Sequence, residues 1–166
     1  RRRGGLPPIP IPNSDMNAVL RGFIDRVDIW DNGASRYYRV VDYKTGKKDF
    51  DYCDVFNGVG LQMLLYMFAL KSSGSDMLGD RPVAAGVQYF PARAPYLTSD
   101  GKLTAEEAEQ ERISKWKRKG LLLNDEDVLQ AMEAGDAPKR MCYSVKKDGT
   151  ISGDLADRRQ PKRFGG

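Results

Sequence analysis

Three stretches of the chain predict an α/β domain with a mixed central sheet flanked by helices. Residues 18–30 and 35–44 are rich in β-branched and aromatic side chains, with Asn32-Gly33 between them, a strong hairpin signal. An apolar run at 55–74 has the length of a helix. A third run, 81–93, is small and β-branched, as a buried strand is. Hairpin, helix and strand in that order form the pattern of a small α/β unit.

Each element can be justified in turn. Residues 1–17 are Pro-rich and form an extended lead-in. In "AVLRGFIDRVDIW" (18–30), alternation puts Phe23, Asp25, Val27 and Ile29 on one face and Gly22, Ile24, Arg26 and Asp28 on the other. Asp25, among apolar neighbours, is expected to be partly buried. The returning strand "SRYYRVVDYK" (35–44) sets Tyr38, Val40, Asp42 and Lys44 on one face. The helix over 55–74 is apolar nearly all round, so it is expected to be largely buried, and Ser72-Ser73-Gly74 end it. Pro91 stops the strand over 81–93. "TAEEAEQERISKWKRK" (104–119) predicts a helix with a Thr104/Glu107 capping box, acids first and bases last. "NDEDVLQAMEAG" (124–135) predicts a short helix capped by Asn124 or Asp125, and "RMCYSVKKDGTISG" (140–153) a hairpin around Asp148-Gly149. No internal repeat is present.

Composition excludes several chemistries. The chain has 166 residues, the size of one domain with its own core. It contains no histidine, so Ser-His-Asp and Cys-His catalysis and His-ligated zinc are impossible within it. Cys53 and Cys142 lie far apart, which argues against a zinc site or disulfide framework and fits a reducing, cytoplasmic setting. No apolar run approaches a membrane span and no signal-peptide pattern opens the sequence, so no membrane role is expected. The opening residues resemble a chain taken from within a longer protein. Net charge is +4, compatible with a polyanionic partner without demanding one; the basic clusters near both ends fit solvated tails best.

The chemistry-bearing candidates lie at the end of the hairpin. Pairing across Asn32-Gly33 can bring Asp25 and Asp42 together on neighbouring strands. Adjacent carboxylates repel, and a hard divalent cation such as Mg²⁺ resolves that repulsion. Lys44 could then hold a water or offset phosphate charge. Alone, a D-x-K strand is more often a surface ion pair. Arg26 with Asp28 fits a charge pair without function. Gln62 and Tyr66, four apart, share one helix face and interrupt "LQMLLYMFAL". They are either a buried tyrosine with its hydrogen-bond partner or a polar stripe facing the cleft.

Together, "GFIDRVD", "VVDYKTG" and "GLQMLLYMFAL" resemble motifs I, II and III of the PD-(D/E)XK nucleases of the RecB type, in order and at plausible spacing. The segment "PARAPYLTSDGKLTAEEAEQERISKWKRKGLLLNDEDVLQAME" and then "MCYSVKKDGTIS" resemble the region after motif III in the B subunit of AddAB/RexAB helicase–nucleases. The resemblance covers roughly residues 18–152. It implies a restriction-endonuclease-like core over 18–152, an AddB-type helical insertion at about 91–138, and a basic tail at 153–166. It also implies Asp25 and Asp42 as metal-binding acids, the Tyr43 backbone carbonyl as a further ligand, and Lys44 as the catalytic lysine. Gln62 and Tyr66 would lie beside the DNA strand. Phosphodiester hydrolysis on DNA with Mg²⁺, Mn²⁺ able to substitute, is the implied activity, and an AddA-like helicase–nuclease subunit the implied partner, in double-strand-break repair.

Two departures accompany the resemblance. The family places a His or Glu ligand on a helix before the first strand, and "LPPIPIPNSD" has neither. Many members hold an iron–sulfur cluster, and neither Cys53 nor Cys142 sits in such a pattern, so any cluster is expected in a parent protein outside this chain. The alternatives are a non-catalytic nuclease-fold module that binds DNA or a helicase partner, and a Cas4-like or phage nuclease of the same fold. The 91–135 segment argues against the last.

Overall fold

The computed structural model describes residues 6–11, 17–46, 48–94, 96, 97, 101, 103–133 and 139–156. The expected basic tail beyond Ala156 and the opening arginines lie outside them. Strands β1 (Ile9–Pro10) and β2 (Val19–Leu20) form a small antiparallel pair. The hairpin follows: β3 (Arg26–Asp31) and β4 (Arg36–Lys44) are antiparallel, in register from Arg26 opposite Val41 to Asp31 opposite Arg36. The Asn32 side chain closes the turn by accepting from the Ala34 and Ser35 amides. Gly33 there takes φ +85°, open to glycine at little steric cost.

The strand expected over 18–30 is therefore two strands with a break at 21–25. Packing explains it. Ile24 and Val27 both reach the same core cluster, yet residues three apart on a continuous strand face opposite ways. The chain must turn between them.

The expected helix over 55–74 is likewise divided. A short α1 (Tyr52–Phe56), capped by the Asp51 side chain, ends before Gly58 and Gly60, both at positive φ. Then α2 (Gln62–Ser73) runs to Gly74, and α3 (Ser75–Leu78) follows at once. The expectation of a largely buried helix is overturned. Met63, Ala69 and Leu70 are buried, while Leu65 and Phe68 are exposed, because the sheet covers one side of α2.

After this crossover β5 (Val83–Pro91) pairs parallel to β4, with Asp42 opposite Tyr89. Helix α4 (Ala105–Lys115) has the expected reciprocal capping box, Thr104 Oγ1 accepting from Glu107 N and Glu107 from Thr104 N. It stops at Trp116, and β6 (Lys119–Leu123) pairs antiparallel to β5. The stretch 91–138, expected to be helical, thus also supplies a sheet strand. Gly120 permits it: a Cβ there would lie 2.0 Å from the Val87 carbonyl oxygen. Helix α5 (Glu126–Met132) is capped by Asp125, and the last hairpin is β7 (Tyr143–Val145) with β8 (Ile151–Gly153), before β9 (Leu155–Ala156). The five-stranded order is β3-β4-β5-β6-β9, a mixed sheet as expected.

The two faces of the sheet differ. One is apolar under α2, where Tyr38, Val40, Met63, Leu70, Leu78, Val87 and Tyr89 form a cluster. Tyr38 also donates to the Met67 carbonyl, tying strand to helix. The other face packs on α5 and the last hairpin through Leu122, Leu129, Met141 and Tyr143, but it also buries Arg39 and Gln88. Arg39 donates to Asp28 and, at 2.7 Å, to Gln88 Oε1. A buried guanidinium is tolerable only with such partners. Burial pushes the Asp28 carboxyl up, but the hydrogen bonds from Arg39 and Arg26 outweigh it and hold it below the usual range. Asp28→Asn should therefore cost about 2 kcal/mol, the scale of losing a hydrogen bond to a charged group, read as a lower urea midpoint. Because the folded pKa is depressed, that difference should be full above the unfolded pKa of about 3.9 and fade as pH falls through the lower folded value. A midpoint unchanged at neutral pH would show that Arg39 needs no counterion.

Candidate active site

Strand β4 carries its apolar half into the core and its polar end, Asp42 to Lys44, to the carboxyl edge of the parallel β4–β5 pair. In open α/β sheets that edge is where ligands bind. Asp42 and Lys44 face the α2 side, as alternation requires. Asp42 is 6% exposed, and its Oδ2 lies 2.6 Å from Lys44 Nζ. That oxygen is buried and, among the described residues, finds no well-aligned hydrogen bond besides this ion pair. The Asp42 carboxylate raises the Lys44 pKa, more than burial lowers it, so the ammonium keeps its proton through neutral pH. The Lys44 Nζ also lies 6.0 Å from the centre of the Tyr89 ring.

Asp25 reaches the same place by a different route. It is exposed, not partly buried as alternation on a continuous strand implied. The ladder begins only at Arg26, and Phe23, on the supposed apolar face, is 93% exposed. Released from the ladder, the Asp25 side chain accepts from the Tyr43 amide at 3.0 Å. Extending the β3–β4 register by one residue sets Asp25 opposite Asp42. A strand residue projects its N–H and C=O to the same side, so the Tyr43 carbonyl also faces Asp25. The Asp25 charge contributes to keeping Lys44 protonated.

Gln62 and Tyr66 sit in the first turns of α2, where Gln62 Nε2 donates to the Tyr66 hydroxyl at 2.7 Å. Tyr66 also packs against the core under β4. A Cβ at Gly22 would come within 3.0 Å of the Tyr66 ring. Gly22 thus lets the segment before Asp25 lie against α2. Sequence reasoning gives it no role beyond its place in "GFID"; the available signal is a glycine three residues before a candidate acid.

These oxygens can be weighed as a cation site. Among the described residues no group of three or more His, Cys, Asp or Glu side chains could hold a metal. What the edge offers is two carboxylates, one with an oxygen lacking a well-aligned hydrogen bond, and a backbone carbonyl. Mg²⁺ suits so sparse a set, since it keeps several waters and takes substrate phosphate oxygens besides one or two carboxylates. Neither cysteine contributes: Cys53 is exposed on α1 and Cys142 lies by the Gly120 carbonyl.

Comparison with known proteins places this edge in context. A family model described as the PD-(D/E)XK nuclease superfamily matches residues 3–142. The B subunit of the ATP-dependent helicase/deoxyribonuclease of Clostridium acetobutylicum is 36% identical over 151 residues, 89% of this chain and 13% of that protein. That of Bacillus subtilis is 37% identical over 158 residues, 93% of this chain and 14% of its own length. Its counterpart in Symbiobacterium thermophilum is 36% identical over 149 residues, 89% of the chain and 13% of the relative. The chain thus spans about an eighth of the length of these curated relatives.

With the ion pair broken, Asp42→Asn should let the Lys44 pKa fall toward its ordinary value of about 10.4. A pH titration of the lysine side-chain carbons by NMR reads this directly. No downward shift would mean that Asp42 does not hold the ammonium.

Proposed function

Because the chain belongs to the PD-(D/E)XK nuclease superfamily, we propose that it is a metal-dependent deoxyribonuclease domain of a helicase–nuclease B subunit. The carrying observation is the buried Asp42 oxygen beside Lys44, at the carboxyl edge of the β4–β5 pair, with Asp25 immediately before the neighbouring strand and bonded to the Tyr43 amide. The substrate of this reading is DNA, and the setting is a cytoplasmic repair complex with an AddA-like partner. The names of the relatives, each a helicase/deoxyribonuclease component, support a DNA substrate and a companion helicase chain.

Each residue has a distinct task. Asp42 and Asp25, with the Tyr43 carbonyl, would hold Mg²⁺ or Mn²⁺. A cation there supplies charge stabilisation at the scissile phosphate and a bound water of lowered pKa. Lys44, protonated at neutral pH, acts as a donor from Nζ to the attacking water or a phosphate oxygen. A proton on Nζ makes it a poor general base while Asp42 is its partner. Gln62 and Tyr66, joined by their hydrogen bond, present an amide and a hydroxyl toward the DNA strand. Water attacks phosphorus and gives up its proton to solvent, the P–O bond to the leaving sugar oxygen breaks, and that oxygen takes up a proton from solvent.

Lys44→Ala and Asp42→Ala should each lower Mg²⁺-dependent cleavage of labelled DNA by roughly a hundredfold or more, the scale of losing one transition-state charge contact. Cleavage that survives both substitutions would sink the mechanism. Titration calorimetry with Mn²⁺ separates the alternative: DNA binding without metal binding would mark a nuclease-fold module that no longer cuts.

A further inference from the structure

The face of the sheet opposite Asp42 carries charge that the nuclease reading does not use. Phe90, beside Gln88 and Arg39 on that face, is ringed by guanidinium groups. Arg118 lies 4.3 Å from its ring centre, Arg39 5.7 Å and Arg26 5.9 Å. Extending the β5–β6 register sets Arg118 opposite Phe90. A fourth guanidinium, Arg140, stands over Trp116 at 5.9 Å, and its backbone carbonyl accepts from the Arg118 amide at 2.7 Å.

Charge here is not balanced. Asp28 alone serves both Arg26 and Arg39. Glu133 is engaged by the Lys139 and Arg140 amides. Among the described residues no carboxylate lies within ion-pair distance of Arg118. Burial lowers the Arg118 pKa, Arg39, Arg140 and Arg26 lower it further, and Glu133 opposes them without reversing the direction. Cations that outnumber the carboxylates around them repel one another, and an anion taken up among them relieves that repulsion.

The aromatic groups narrow the anion. Phe90, Tyr43 and Trp116 interleave with the guanidinia, and Tyr43 and Trp116 expose 44% and 36% of their surface. Alternating cations and aromatic rings suit a single nucleic-acid strand, whose phosphates take guanidinium forks and whose bases stack. The position also fits. Arg26 follows Asp25 and donates to the Tyr43 hydroxyl, and β3 is one of the two edge strands of the sheet. A strand passing the start of β3 meets the Asp25 edge and this face in succession.

We infer that the cluster of Arg118, Arg140 and Arg26 around Phe90 and Trp116 is a phosphate-binding subsite for single-stranded DNA, across the sheet from Asp42 and Lys44, with the buried Arg39 fixed behind it by Asp28 and Gln88. It deepens the nuclease reading by assigning a path for the strand, and it rests on that reading for the choice of DNA.

The test is binding of a fluorescent oligo-dT strand by the full chain, without divalent metal, across a salt series. Arg118→Gln keeps most of the side chain over Met141 but removes the charge. It should weaken binding about tenfold and lower the salt slope by about one, the signature of one lost phosphate contact. Arg140→Gln should do the same, and Arg118→Lys should keep more affinity than Arg118→Gln. Lys71→Gln, an equal charge change on exposed α2, should leave the affinity as it was. If Arg118→Gln lowers the unfolding midpoint, the exposed Arg140 decides. Unchanged affinity and slope in Arg118→Gln and Arg140→Gln, or an equal loss in Lys71→Gln, overturns the subsite. The two readings fail separately: cleavage that survives Lys44→Ala sinks the catalytic site, whereas unaltered binding in the arginine variants sinks this subsite alone.

Discussion

A carboxylate at Asp42 can lie almost wholly out of solvent only because Lys44 stands two residues along the same strand. Desolvating one charge is costly, and a partner at 2.6 Å offsets part of that cost. The rest of the domain serves to make this pairing possible. β4 must be flanked on both sides, so that its amides and carbonyls are satisfied and its end is rigid. The tight turn at Asn32-Gly33 fixes β3 on one side, and the helical crossover delivers β5 on the other. A slip of one residue in β4 would exchange the faces, sending Asp42 to the arginine side and Arg39 into the apolar cluster.

That exchange shows how β4 divides its chemistry. Odd-numbered Arg39 joins Asp28 and Gln88 on one face, while even-numbered Tyr38 and Val40 lead to Asp42 on the other. The first set is internally satisfied, so it fixes register more than it adds stability. The second set is left short. Asp42 Oδ2 has Lys44 and no well-aligned hydrogen bond among the described residues. Structural networks close upon themselves, and reactive ones keep a valence open. By this measure the Asp28–Arg39–Gln88 group is scaffold.

Much of this was legible in the sequence because it depends on local rules. The asparagine–glycine turn, the Thr104/Glu107 capping box, the Asp125 cap and the shared face of Asp42 and Lys44 follow from side-chain chemistry within a few residues. What escaped depends on partners distant in sequence. Alternation places Asp25 inside only if the strand continues past Arg26, where the ladder in fact ends. Strand β6 was hidden behind the charged run that closes α4, since only the approach of Val87 to Gly120 reveals a strand in "KGLLL". α2 looked buried all round because a composition of Leu, Met, Phe and Tyr does not say how many sides a sheet will cover. Arg118 gave no signal at all, being one base among several at 112–119. Its meaning comes from Phe90, on the strand before.

The ion pair also constrains what Lys44 can do. Its ammonium and a divalent cation would draw on the same Asp42 oxygen, so the two are linked in the thermodynamic sense. While Asp42 belongs to Lys44, the lysine pKa is raised and Nζ holds its proton. A cation that took that carboxylate would remove the cause of the rise and add a second positive charge nearby, so the Lys44 pKa would fall. The direction is forced by charge alone, whatever the coordination geometry. A protonated Nζ can donate to water or to a phosphate oxygen, and it cannot serve as a base while Asp42 remains its partner.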